Sequence, residues 1–175
     1  MQILLIAAAA FLGLLVALRL ALPKLVPLFV FHPEPLRPRE SHPRYWGYPE
    51  AREVRFPTSD NLSLHGWWFP AAGPSERRGT AIFFHGNAGH IGPRGEIGAG
   101  LSRLGFDVLL PDYRGYGLSE GKPSELGLYR DAEAAYVYAL RRSGGSAETL
   151  LVVGNSLGSA VAAELAARRP VGGVG

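Results

Sequence analysis

The run Leu150-Leu151-Val152-Val153-Gly154-Asn155-Ser156-Leu157-Gly158-Ser159-Ala160 holds the residues best suited to chemistry in this chain. An apolar stretch enters Gly-x-Ser-x-Gly, and an alanine-rich segment of helical character leaves it. In that setting a serine occupies a strained strand-to-helix turn, Gly154 and Gly158 are small enough for the backbone to crowd, and the hydroxyl is pushed into the open. Ser156 is the expected nucleophile. The following helix N-terminus, beginning with the Leu157 N–H, is aimed at the oxyanion that attack on a carbonyl would create. Glycine and serine are common turn residues, so the bare motif is weak; its place between a buried strand and a helix makes it informative.

A second stretch, Thr80-Ala81-Ile82-Phe83-Phe84-His85-Gly86-Asn87-Ala88-Gly89, closes an earlier strand with small residues that let a loop curl over a ligand. The Asn87 N–H is the expected second oxyanion donor. His85 reads as a residue that holds this loop rather than as a base, because a base must also reach the Ser156 hydroxyl. The block Asp112-Tyr113-Arg114-Gly115-Tyr116-Gly117-Leu118-Ser119-Glu120-Gly121 reads as a glycine-rich loop after another strand. There Asp112 is expected to bond neighbouring backbone or Arg114 and not to act as an acid.

These residues need a scaffold, and the pattern from about residue 51 supplies one. Strands are expected at 52–57, 62–69, 80–85, 106–111 and 149–153, and helices at 93–104, 124–142 and 157–168. Ser59-Asp60-Asn61 makes the first two strands an antiparallel hairpin. In the second helix Leu128, Tyr129, Ala132, Ala135, Tyr136, Ala139 and Leu140 recur at helical spacing, with Ser124 as N-cap. Trp67 and Trp68 read as sheet packing. Strand–helix alternation argues for an α/β domain over 51–175 with a mostly parallel sheet. With 47% hydrophobic residues a packed core needs neither disulfide nor metal, and with no cysteine neither a disulfide framework nor a thiol nucleophile is available. The net charge of +3 comes from scattered arginines, which does not suggest a nucleic-acid surface.

Residues 3–18 carry no charge, and Leu20, Ala21 and Leu22 extend the run past Arg19. About twenty residues at about 1.5 Å each match a bilayer core of about 30 Å, so residues 1–22 are expected to form a single-pass transmembrane anchor. Arg19, Lys24, Arg37 and Arg39 follow it, which places the remainder in the cytoplasm by the positive-inside rule. Seven prolines over 23–50 predict an extended juxtamembrane linker.

The stretch from about 54 to 172 resembles the N-terminal half of the α/β-hydrolase superfamily. The His85–Gly89 block, the Pro111–Gly121 block and the Gly154–Ser159 block stand in the family's order and at its intervals. With the apolar N-terminus, the chain is most similar to single-pass membrane proteins related to serine aminopeptidase-like and lysophospholipase-like hydrolases. The resemblance implies helices on both faces of the sheet, Ser156 as nucleophile, Asn87 and Leu157 as oxyanion amides, no cofactor or metal, and a later Asp and His. Neither partner is found: after Ser156 the ionisable side chains are Glu164, Arg168 and Arg169, and His32, His42, His65, His85 and His90 all precede it. Glu164 falls in the helix after the turn, where a solvated or capping role is expected, and His90 is a weak substitute base. The expectation is a fragment of a serine hydrolase, little active alone, acting on an ester, thioester or amide of a small or lipid-like acyl compound at a membrane. The alternative is a membrane-tethered, catalytically dead binding module.

Overall fold

The computed structural model describes residues 2–72 and 77–175 and, within the first helix, leaves aside the side chains of residues 3–5, 7–9 and 23–28. The chain divides into two compact units, Met1–His32 and Pro33–Gly175. The first is a helix, α1 (Gln2–Val30), on which Phe11, Leu12, Leu14 and Leu15 are exposed. It corrects one expectation. The helix does not end at residue 22 but runs on through the first prolines of the supposed linker. Moreover, among the described residues no helix is long and apolar enough to cross a membrane. Several side chains of the expected anchor, at residues 3–5 and 7–9, lie outside the described residues.

The second unit is organised by a six-stranded sheet: β1 (Arg52–Pro57), β2 (Ser63–Phe69), β3 (Gly79–Phe84), β4 (Phe106–Pro111), β5 (Leu150–Gly154) and β6 (Gly173–Val174). Their spatial order is β1-β2-β4-β3-β5-β6. β1 and β2 form the expected antiparallel hairpin, and β2 also runs antiparallel to β4; β4, β3, β5 and β6 are mutually parallel. In the hairpin turn Thr58 Oγ1 donates to Asp60 (2.6 Å) and accepts from the Leu62 N–H (3.0 Å).

Three helices close the layers: α2 (Gly95–Arg103), α3 (Glu125–Ser143) and α4 (Leu157–Arg168). Side chains alternate across each strand, so Trp67, Phe69, Ala81, Phe83, Val108 and Leu110 join Ala99 of α2 in one core. On the other face Tyr138 of α3 stacks on Phe56 (4.8 Å) and meets Trp68 edge-on (6.4 Å). Both faces are covered at the centre, which is why β3 and β4 read as unbroken apolar runs. Ser124 caps α3 as expected, its hydroxyl accepting from the Gly127 N–H.

The linker expected over 23–50 is likewise corrected. After Val30 the chain makes 3-10 turns at Pro38–Glu40 and Pro43–Trp46, each with proline in its first positions, where a missing N–H removes no turn hydrogen bond. Trp46 packs against Trp67 (6.4 Å) and His90 (5.7 Å), and Tyr48 against Phe69 (5.7 Å). Aromatic burial thus draws this segment into the domain, and the compact unit begins at Pro33 instead of Ala51.

Candidate active site

Ser156 stands between β5 and α4 with φ 53° and ψ −115°, a backbone state that costs a non-glycine residue on the order of 1–3 kcal/mol. The closeness of the chains around it shows why the motif glycines are needed. A Cβ on Gly154 would collide with the Gly158 carbonyl, and one on Gly158 would enter the carbonyls of Phe84 and His85. The Asn155 N–H donates to the Phe84 carbonyl (3.0 Å), which ties the turn to the end of β3. Ser156 is exposed. The Gly158 N–H is used by the Asn155 carbonyl (2.8 Å) and the Ser159 N–H by the Ser156 carbonyl (2.9 Å), whereas Leu157 carries the first N–H of α4, which helix geometry leaves without an internal acceptor. α4 has no acidic residue in its first turn, whereas α2 opens with Glu96 and α3 with Glu125.

The loop after β3 lies against this turn: a Cβ on Gly86 would stand 3.4 Å from Asn155 Oδ1 and 3.7 Å from Ser156 Cβ. Three consecutive carbonyls of the loop are each held by a side-chain donor. The Tyr113 hydroxyl donates to the His85 carbonyl (3.0 Å), His85 Nδ1 to the Gly86 carbonyl (2.7 Å), and the Tyr116 hydroxyl to the Asn87 carbonyl (2.8 Å). A carbonyl can only accept, so Nδ1 of His85 carries a proton. The ring is fully buried, and burial holds it below the ordinary histidine value against the pull of Asp112. Burial likewise raises the Tyr113 phenol well above its usual range, keeping the hydroxyl proton available to donate.

Asp112, at the end of β4, is fully buried beneath this loop. It accepts from the Ile91 N–H (2.9 Å) and His65 Nδ1 (3.0 Å), and one oxygen lies 3.6 Å from His85 Nε2. Of the two expected alternatives, backbone or Arg114, Asp112 takes backbone; the Arg114 guanidinium turns to Asp60 (2.9 and 3.0 Å) and Asp131 (2.9 Å). A readable signal existed in α3, where Asp131 falls on the apolar stripe of Leu128, Ala132 and Ala135, a place for a charge only if it is paired. His65 carried no such signal, since its partner lies forty-seven residues on.

Every histidine is committed elsewhere than at the Ser156 hydroxyl. His32 meets the Phe29 carbonyl (3.1 Å), His42 Nδ1 accepts from the Arg44 N–H (3.2 Å), His65 and His85 face Asp112, and His90 Nδ1 accepts from the Gly92 N–H (3.1 Å). Glu164 pairs with Arg168 one turn on along α4. Among the described residues no group of three His, Asp or Glu side chains is placed to hold a metal ion. A concavity of about 420 Å³ opens between α3 and α4, lined in part by Tyr129, Arg130, Glu133, Glu164 and Arg169; Ser156 is not in its lining.

A profile of the α/β-hydrolase fold family matches residues 81–171. The chain belongs to the α/β-hydrolase family. An uncharacterized protein of Mycobacterium tuberculosis is 43% identical over 70% of this chain and 43% of its own length, and the α/β-hydrolase domain-containing protein WAV2 of Arabidopsis thaliana is 38% identical over 67% and 38%. The chain thus spans less than half the length of these curated relatives. Among solved structures, an α/β-hydrolase from Vibrio vulnificus superposes with a TM-score of 0.61 at 27% identity, covering 73% of this chain and 44% of that one. The Pyrococcus furiosus esterase Pf2001 superposes with a TM-score of 0.63 at 24% identity, over 81% and 53%, and speaks for the fold alone.

Proposed function

We propose that this α/β-hydrolase chain carries the nucleophilic half of a serine hydrolase. Ser156 attacks the carbonyl of an ester, thioester or amide to form an acyl-enzyme, and the amides of Asn87 and Leu157 hold the oxyanion. The observation that carries this reading is the strained, exposed Ser156 at a turn whose glycines admit no Cβ. Turnover also needs a base, which none of the five histidines supplies at Ser156; it and its orienting acid belong to sequence beyond these residues, in keeping with the greater length of the relatives. No cofactor takes part. The exposed apolar side chains of α1 and the basic Arg19, Arg37 and Arg39 support membrane association at the cytoplasmic face and an acyl or lipid-like substrate. The committed histidines favour the second reading, a binding module with no chemistry.

The deciding experiment is labelling of cells that make this protein with a tagged fluorophosphonate, followed by the mass of the species whose Ser156 peptide bears the tag. A labelled species heavier than the 18.8 kDa of this chain, lost in Ser156→Ala, is the expected result. An unlabelled protein of this chain's mass would overturn the hydrolase reading and favour the binding module.

A further inference from the structure

A peptide group is planar, so in a trans unit the carbonyl of one residue and the N–H of the next point in opposite directions. Whatever holds the Gly86 carbonyl therefore sets the direction of the Asn87 N–H. That holder is the ring of His85, 2.7 Å away through Nδ1. The ring is itself packed between two aromatics: Tyr113 lies 4.5 Å and Tyr116 5.3 Å from it, centroid to centroid. The flanking carbonyls of His85 and Asn87 are held by Tyr113 and Tyr116, so the two neighbouring peptide planes are set as well.

We infer that His85 is a positioning residue, which aims the Asn87 N–H at the oxyanion through its grip on the Gly86 carbonyl. This rests on the proposed function only in taking the Asn87 N–H as an oxyanion donor. A histidine that merely filled space could be replaced by any side chain of similar size. A histidine that acts through Nδ1 can be replaced only where a donor stands at the Nδ1 position, which asparagine offers through its amide nitrogen and glutamine, one methylene longer, does not.

The test uses the full chain, labelled with ¹⁵N, as wild type and as His85→Asn and His85→Gln. In the wild type the imidazole nitrogens of His85 should show a protonated Nδ1; a bare Nδ1 would overturn the inference with no variant needed. The amide ¹⁵N resonance of Asn87, which responds to hydrogen bonding at the preceding carbonyl, should stay in place in His85→Asn and move in His85→Gln. Equal displacement in both, or in neither, would overturn it. Fluorophosphonate labelling of Ser156 should be retained in His85→Asn and fall in His85→Gln by up to about a hundredfold, the lower end of what loss of an oxyanion donor costs. Because no histidine of this chain serves Ser156 as base, a wild type that takes no label does not bear on His85, and the Asn87 resonance alone then decides its role.

Discussion

Single residues around Ser156 are held by contacts that leave no room for an extra methyl. Gly158→Ala would drive a Cβ into the carbonyls at the end of β3, backbone atoms that cannot rotate away. Stability should fall by about 3 kcal/mol, the upper part of the range for overpacking, read from the midpoint of urea unfolding. Gly173→Ala, whose Cβ would meet only the Leu151 side chain at 3.0 Å, serves as the control and should cost much less. The motif glycines and Ser156 were legible in the sequence because a strand-to-helix turn needs small residues at fixed offsets. The plane-by-plane hold on residues 85–87 was not: Tyr113 and Tyr116 look like ordinary core aromatics until the fold brings their hydroxyls to the carbonyls of His85 and Asn87.

At the level of elements, α3 is fastened at its start by two devices of different kinds. Ser124 caps it, and Ser124→Ala should cost about 1 kcal/mol in denaturant unfolding. About two turns in, Asp131 grips Arg114, which also binds Asp60 in the hairpin turn. Hydrogen bonds from Arg114 and then Thr58 hold the Asp60 carboxyl well below the usual range. Its folded value being depressed, the stability it contributes is complete above the ordinary value of about 4 and is lost as pH falls through the folded value. Burial outweighs Arg114 at Asp131 and raises that carboxyl, so its contribution has the opposite sign: present below about pH 4 and lost as pH rises through the raised value. Asp60→Asn should therefore flatten the acid limb of the stability curve below about pH 4, measured by circular dichroism at fixed denaturant. An unchanged limb would place the acid sensitivity elsewhere. The five strands and three helices expected between residues 52 and 168 were readable to within two residues, since period and capping are local properties, whereas α1 overran its expected end and β6 was not among the expected strands. The segment from Pro33 to Glu50 misled because proline density describes backbone preference, whereas the burial of Trp46 and Tyr48 is decided by the surface they find.

Across the whole molecule, protection should follow the order of the sheet. β4 and β3 are central and covered on both faces, with Ala81, Ile82, Val108 and Leu109 fully buried, whereas Val174 of β6 is exposed and β1 lies at the opposite edge. Native-state hydrogen exchange should be slowest at the amides of β3 and β4 and fastest along β6. Comparable protection in β6 and β4 would refute this ranking.

The backbone of Ser156 has a consequence for which residue each kind of selection would retain. Glycine adopts a positive φ with little strain, and any other residue there holds the molecule above its lowest free energy by on the order of 1 kcal/mol or more. In a library randomised at position 156, sorting by thermal resistance should return glycine first, whereas sorting by reactivity toward an electrophile should return serine. A lineage shaped by folding alone would drift toward the former, and one that uses the hydroxyl would keep the latter.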